Sequence, residues 1–211
     1  MQYYIDILPD MILAHISKII IDMNKTEVLE SEKRANKSHG KDGPITFFHL
    51  KDDVQFPNSP YPVLLYKDIL NLPFLRPGAF IENLFKGNGW YNSWRAGIYE
   101  YGHYHSNTHE VIGVYKGKTT LLIGGKKGVK IDIEKGDVLI LPAGVAHQNL
   151  NSEDSVKCVG AYPNGIKYDM KYGKADERPK ADLTIKKVPT NIKNPVFGHI
   201  MGIPKYWKPH S

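Results

Sequence analysis

Three histidines and one glutamate are spaced to hold a metal ion. In His103-Tyr104-His105 two imidazoles lie two residues apart, and side chains on an extended strand alternate with period 2, so both project from one face. Glu110 follows His105 at an odd step, which a regular strand would turn to the opposite face. The small polar Ser106-Asn107-Thr108 between them suit a bulge or short turn, and such a break resets the parity, after which Glu110 shares its face with Ile112 and Val114. A second block runs from Gly136 through the apolar Val138-Leu139-Ile140-Leu141 to Pro142 and Gly144, and delivers His147 on the next strand. Neutral imidazoles with one carboxylate suit a divalent transition metal (Fe, Mn, Ni, Co, Cu or Zn), and four protein ligands on an octahedral ion leave positions for water or substrate. His109, beside Glu110, points the other way on a strand and is expected at the surface, behind a ligand or at an interface.

The elements that must carry these residues are short strands between turn signals. Ile45 to Leu50 and Pro62 to Tyr66 look extended, with Pro57-Asn58-Ser59-Pro60 punctuating between them. Ala79 to Phe85 has apolar residues at helical spacing, after Pro77 and before Gly87. Beyond it strands are predicted over Trp94 to Tyr104, Glu110 to Tyr115, Thr119 to Ile123, Val129 to Ile133, Val138 to Leu141, Ala146 to Leu150 and Val156 to Tyr162. Lys116-Gly117-Lys118 and Gly124 to Gly128 read as hairpin loops, and Val129, Ile131 and Ile133 alternate with charged residues as a half-buried strand does. Many short strands with regular turns suggest an all-β double-sheet jelly roll or barrel.

Both histidine blocks resemble the two signature motifs of the cupin superfamily. His103, His105, Glu110 and Gly117 stand at the positions of the first, with Gly97 as its leading glycine, and Gly136, Pro142, Gly144, His147 and Asn151 at those of the second. Trp90 to Arg95, Val159 to Pro163, Pro195 to Gly198 and Trp207 extend the likeness to bacterial single-domain cupins of the YjlB type, from about residue 45 to 207. The resemblance implies a cupin-type double-stranded β-helix with one or two short helices, and a metal held by His103, His105, Glu110 and His147 inside the barrel. It implies no particular substrate. Residues 1–44 have no counterpart in it and are read as an N-terminal extension and linker, partly disordered, with 45–211 as one cupin domain; Asn24 to Pro44 are too polar to offset ordering, and Met23 is an alternative start.

Around the ligands, strand parity puts Arg95, Tyr99 and Tyr101 on the face of His103, so that they are candidates to line a substrate pocket, while Tyr104 faces away. An arginine there would clamp an anion unless it is spent in an ion pair. Tyr101, and Glu110 if it leaves the metal, are candidate catalytic bases.

Composition bounds the rest. A chain of 211 residues, 41% hydrophobic, can bury a full core. The single cysteine, Cys158, permits no intrachain disulfide, and its apolar alternating surroundings predict a buried, inert thiol. The net charge of +6 comes from scattered lysines, without the clustered footprint of nucleic-acid binding. The apolar N-terminus carries Asp6, Pro9 and Asp10 where a secretory signal would be basic and uninterrupted, and no stretch is long enough to cross a bilayer, so a cytoplasmic location is expected. Strand Val138 to Leu141 is apolar on both faces, which suggests a homodimer or else cover by another element of the same chain. Three functions remain open: a small-molecule metalloenzyme (oxygenase, isomerase or lyase), a binding protein for a small ligand, and a closed structural zinc site.

Overall fold

The computed structural model describes residues 45–151 and 156–208, so the expectations for residues 1–44 lie outside the described residues. Among the described residues nine strands form two antiparallel sheets. The larger contains β1 (Ile45–Phe48), β2 (Val63–Tyr66), β3 (Trp90–Ala96), β4 (Glu110–Lys116), β7 (Val138–Leu141) and β9 (Lys157–Pro163), in the order β1-β2-β7-β4-β9-β3. The smaller contains β5 (Lys118–Ile123), β6 (Val129–Glu134) and β8 (His147–Asn149), in the order β6-β5-β8. Among the described residues helix α1 (Pro77–Gly87) is joined by two shorter helices, α2 (Lys180–Ile185) and α3 (Ile203–Tyr206).

Alternation along the strands divides the core into two layers. Val63, Leu65, Ile112, Val114, Leu139, Leu141 and Cys158 of the larger sheet meet Leu121, Ile123, Ile131 and Ile133 of the smaller one. The opposite faces of the same strands carry Leu64, Tyr66, Val111, Val138, Ile140 and Val159, which pack on Ile81 and Phe85 of α1 and on Ile203 and Trp207 of the C-terminal segment. Each such fully buried side chain contributes about 1.5–3 kcal/mol. Strand β7 is therefore apolar on both faces because the chain covers it on both sides, and its pattern needs no second subunit.

Two local readings are corrected. Lys116-Gly117-Lys118 is not a hairpin loop: β4 pairs with β7 and β9, and Gly117, at φ 73°, passes the chain to the other sheet. The loop Gly124 to Gly128 does close a hairpin, β5 with β6. The second correction matters for the site. The strand predicted over Trp94 to Tyr104 stops at Ala96, and residues 97–102 run irregularly before His103 and Tyr104 re-enter isolated bridges.

Candidate metal centre

Each candidate ligand is placed by a different local device. The His103 backbone pairs with that of His147, N–H to carbonyl in both directions at 3.2 and 2.9 Å, which sets the two rings side by side with centroids 4.1 Å apart. His147 itself begins β8 after the turn at Pro142-Ala143-Gly144, where Gly144 takes φ 91° and a Cβ would lie 2.3 Å from the Asn58 carbonyl. Ser106 and Asn107 form the parity-resetting turn. The Asp169 carboxylate clasps it, accepting from the Ser106 N–H (2.7 Å) and hydroxyl (2.5 Å). Glu110 then opens β4 on the inner face with Ile112.

The result is a convergent set, buried to 4% exposure or less. Nε2 of His105 and Nε2 of His147 each lie 3.3 Å from Oε2 of Glu110. His103 closes the group, its ring centroid 5.8 Å from that of His105. The other ring nitrogen of each histidine is already used. Nδ1 of His103 donates to the Tyr101 carbonyl (3.1 Å), that of His105 to the Asp169 carbonyl (2.5 Å), and that of His147, at a long 3.4 Å, to the Val145 carbonyl. A carbonyl can only accept, so these contacts put the proton on Nδ1 and a lone pair on Nε2, the tautomer that metal-binding histidines use.

Glu110 is divided in the same way. Its Oε1 accepts from the Tyr162 hydroxyl at 2.9 Å and the Trp94 indole N–H at 3.2 Å. Its Oε2 is buried without a hydrogen-bond partner, because the imidazole nitrogens 3.3 Å away carry lone pairs in that tautomer. The indole lies this close only because residue 160 of β9 is glycine: a Cβ there would sit 2.0 Å from the Trp94 ring.

Burial alone would raise the Glu110 carboxyl and lower the His105 imidazole. Contact between them reverses both: His105 and His147 hold Glu110 well below the ordinary carboxylate range, and Glu110, with Asp169 adding to it, holds His105 above the ordinary imidazole value. His103, without such a contact, is pushed down to about 3 by burial and by His147 beside it. Burial and the neighbouring carboxylate push the Tyr162 phenol far up, so it keeps the proton it donates.

This donor set fits a divalent ion. Ligands about 2.1 Å from one centre are about 3.0 Å apart at octahedral and about 3.4 Å apart at tetrahedral angles, a range that contains the 3.3 Å separations. The orphaned Oε2 is the atom such an ion would satisfy. Among the described residues no group of three or more His, Cys, Asp or Glu side chains is already spaced to hold a metal ion.

A cavity of about 140 Å³ opens beside the four side chains, lined on its other walls by Trp94, Ile98, Tyr99, Ile112, Tyr168 and Met170. Tyr99 lies where strand parity put it, but Arg95 and Tyr101 do not. Arg95 points to the outer side of β3, where its Nε donates to Glu82 Oε1 of α1 at 2.8 Å and its Nη2 to Glu82 Oε2. Tyr101 is 44% exposed and stacks on the outer side of Tyr99, centroids 4.8 Å apart, outside the cavity lining. Its phenol is raised by desolvation and neighbouring phenols. Both readings fail because Trp94, Ala96 and Ile98 face inward while the irregular stretch around Gly97 and Gly102 shifts Tyr99 and His103 into line. His109 is buried rather than superficial: Nδ1 accepts from the Ala143 N–H (2.9 Å) and Nε2 donates to the Pro189 carbonyl (3.0 Å), with the ring 4.7 Å from Trp207.

Sequence reasoning did not assign Tyr162, Asp169, Tyr168 or Met170 to the site. Tyr162 was legible by parity, since it shares the inner face of β9 with Cys158 and Gly160. Asp169, Tyr168 and Met170 belong to an irregular segment with no period to read.

The description "cupin domain" fits residues 96–159, the span from the end of β3 into β9. Across 163 residues the chain is 36% identical to the uncharacterized protein YjlB of Bacillus subtilis (strain 168), covering 77% of this chain and 95% of that one. The chain belongs to the cupin superfamily, with relatives of the YjlB type. Solved structures similar to this cupin include acireductone dioxygenase from Bacillus anthracis with cadmium in its active centre (16% identity, TM-score 0.32, 43% of this chain and 61% of that one). Another is the WlaRB TDP-quinovose 3,4-ketoisomerase of Campylobacter jejuni (17% identity, TM-score 0.34, 41% of this chain and 72% of that one). No helix among the described residues of this cupin is long and apolar enough to cross a membrane.

Proposed function

We propose that this cupin is a small-molecule metalloenzyme whose divalent transition metal is held by His103, His105, Glu110 and His147. The observation that carries the reading is the division of labour within each ligand. Every candidate side chain has one polar atom satisfied by the protein, and the free nitrogens of His105 and His147 lie 3.3 Å from Glu110 Oε2, which has no hydrogen-bond partner. Asp169 fixes the tautomer of His105 through its carbonyl and holds the Ser106-Asn107 turn through its carboxylate. Tyr162 and Trp94 occupy one oxygen of Glu110 and so present the other alone.

A divalent ion in this site would act as a Lewis acid toward an oxygen-bearing substrate, the chemistry shared by the oxygenase, isomerase and lyase classes. The adjoining cavity of about 140 Å³ favours an open site over a closed structural zinc, which saturates its ligands and needs no cavity. Tyr168 and Met170 on one side and Ile98 and Ile112 on others keep that space largely apolar and limit water at the reacting end. Elemental analysis tests the metal. Protein purified without added metal is expected to carry close to one transition-metal ion per chain, and the His105→Ala/His147→Ala double variant to carry none; equal content in both would reject the site.

A further inference from the structure

The ionisable imidazole and carboxylate groups lining the cavity are the four candidate ligands themselves: His103, His105, Glu110 and His147, with the Tyr162 hydroxyl already committed to Glu110 Oε1. The remaining wall is indole, phenol rings, Ile98, Ile112 and Met170. Among the described residues that line it there is no lysine or arginine. Arg95 is paired with Glu82 on the outer side of the sheet, and Lys126 lines a separate cavity of about 160 Å³ whose lining shares only His147 with this one.

Size narrows the ligand further. A volume of about 140 Å³ is close to the apolar cavity of about 150 Å³ that accommodates benzene in another protein, so the space suits one six-membered ring with a small substituent. The lid is built for such a shape. The segment carrying Tyr168 and Met170 is tied down on both sides, by the Asp169 clasp on the Ser106-Asn107 turn and by paired backbone bonds between Tyr104 and Lys171 at 2.9 and 3.0 Å. It places Tyr168 against the His105 ring, with centroids 4.6 Å apart. Aromatic faces and a flexible thioether favour flat, polarizable partners. An anionic group away from the metal would meet no counter-charge among the lining residues.

Resting on the open metal site proposed above, we infer that the substrate class is a planar molecule of single-ring size, neutral except at the hydroxyl or carbonyl oxygen it presents to the metal. Phosphorylated and tail-carboxylated compounds are excluded. Met170 and Tyr168 set that specificity.

The test compares 4-methylphenol with 4-hydroxybenzoate, which share a phenol head and differ in the charge of the tail. Each is titrated into metal-free and Zn(II)-loaded full-length protein, reading the Trp94 indole N–H and Met170 methyl resonances by NMR. 4-Methylphenol is expected to move both signals saturably and to bind about tenfold or more tighter than 4-hydroxybenzoate. In Met170→Lys, which places a cation in the lining, the preference is expected to narrow or reverse. Equal or tighter binding of 4-hydroxybenzoate to the unmodified protein would overturn the inference, as would 4-methylphenol shifts confined to residues away from Trp94 and Met170. If no zinc binds, the metal reading falls by itself, and the metal-free titration decides the ligand class by the same criterion.

Discussion

His109 and the trio His103, His105 and His147 are buried alike, at 2% and at 3–4% exposure, but in different surroundings. What separates them is hydrogen-bond bookkeeping. On the outer side, under the C-terminal segment, both nitrogens of His109 have protein partners, and its ring packs on Trp207. Burial pushes it down to about 4, so it stays neutral and acts as a bridge from the Ala143 turn to Pro189. On the inner side each imidazole has its Nδ1 satisfied by a carbonyl, and His105 and His147 bring Nε2 to within 3.3 Å of Glu110 Oε2. Burial alone therefore does not mark a ligand, whereas an unspent nitrogen beside an unspent carboxylate oxygen does.

Substitutions on the two sides should separate accordingly. His147→Ala is expected to lower Zn(II) affinity by more than the roughly 10- to 100-fold that losing a supporting partner costs, measured by calorimetry, with the fold retained. His109→Ala should leave that affinity within about threefold. Instead it exposes the loss of a buried partner for the Ala143 N–H, together with packing on Trp207, and should reduce unfolding free energy by about 3 kcal/mol in urea titrations. If both variants lost metal equally, the distinction between the two sides would fail.

Tyr162→Phe sharpens the inner side. It removes one of the two donors on Glu110 Oε1 and should weaken metal binding by about 10- to 100-fold while circular dichroism stays unchanged. Smaller still is the effect at Arg95, whose partly exposed pair with Glu82 lies on the outer side of β3. Arg95→Ala should change stability by under about 1 kcal/mol and leave metal affinity untouched. Cys158 tests the interior between them: burial and the nearby Glu110 charge push its thiol up to about 12. It should resist Ellman's reagent at neutral pH in the folded protein and react at once in denaturant.

The two-layer fold was legible because its strands alternate cleanly and their turns carry Gly, Pro and Asn; α1 and β7 lie where period and punctuation put them. The four candidate ligands were legible because each sits in a short motif with its own parity. Arg95 and Tyr101 were misplaced for one reason. Parity was carried across Gly97 and Gly102, where the chain leaves the strand and each residue's direction depends on packing that no period encodes. His109 was directed correctly, away from the ligands, but its burial depends on Pro189 and Trp207, which are distant in sequence. The lid residues were invisible for the same cause: Asp169 reaches the Ser106-Asn107 turn across more than sixty positions.

The central claim is that the inner side holds an open metal site, and the most direct measurement of it is the visible spectrum of Co(II)-loaded protein before and after azide. A five- or six-coordinate spectrum that shifts on adding azide is the expected result, because His103, His105, Glu110 and His147 leave at least one position facing the cavity. An intense tetrahedral spectrum unmoved by azide would contradict the account and make the site a closed structural one.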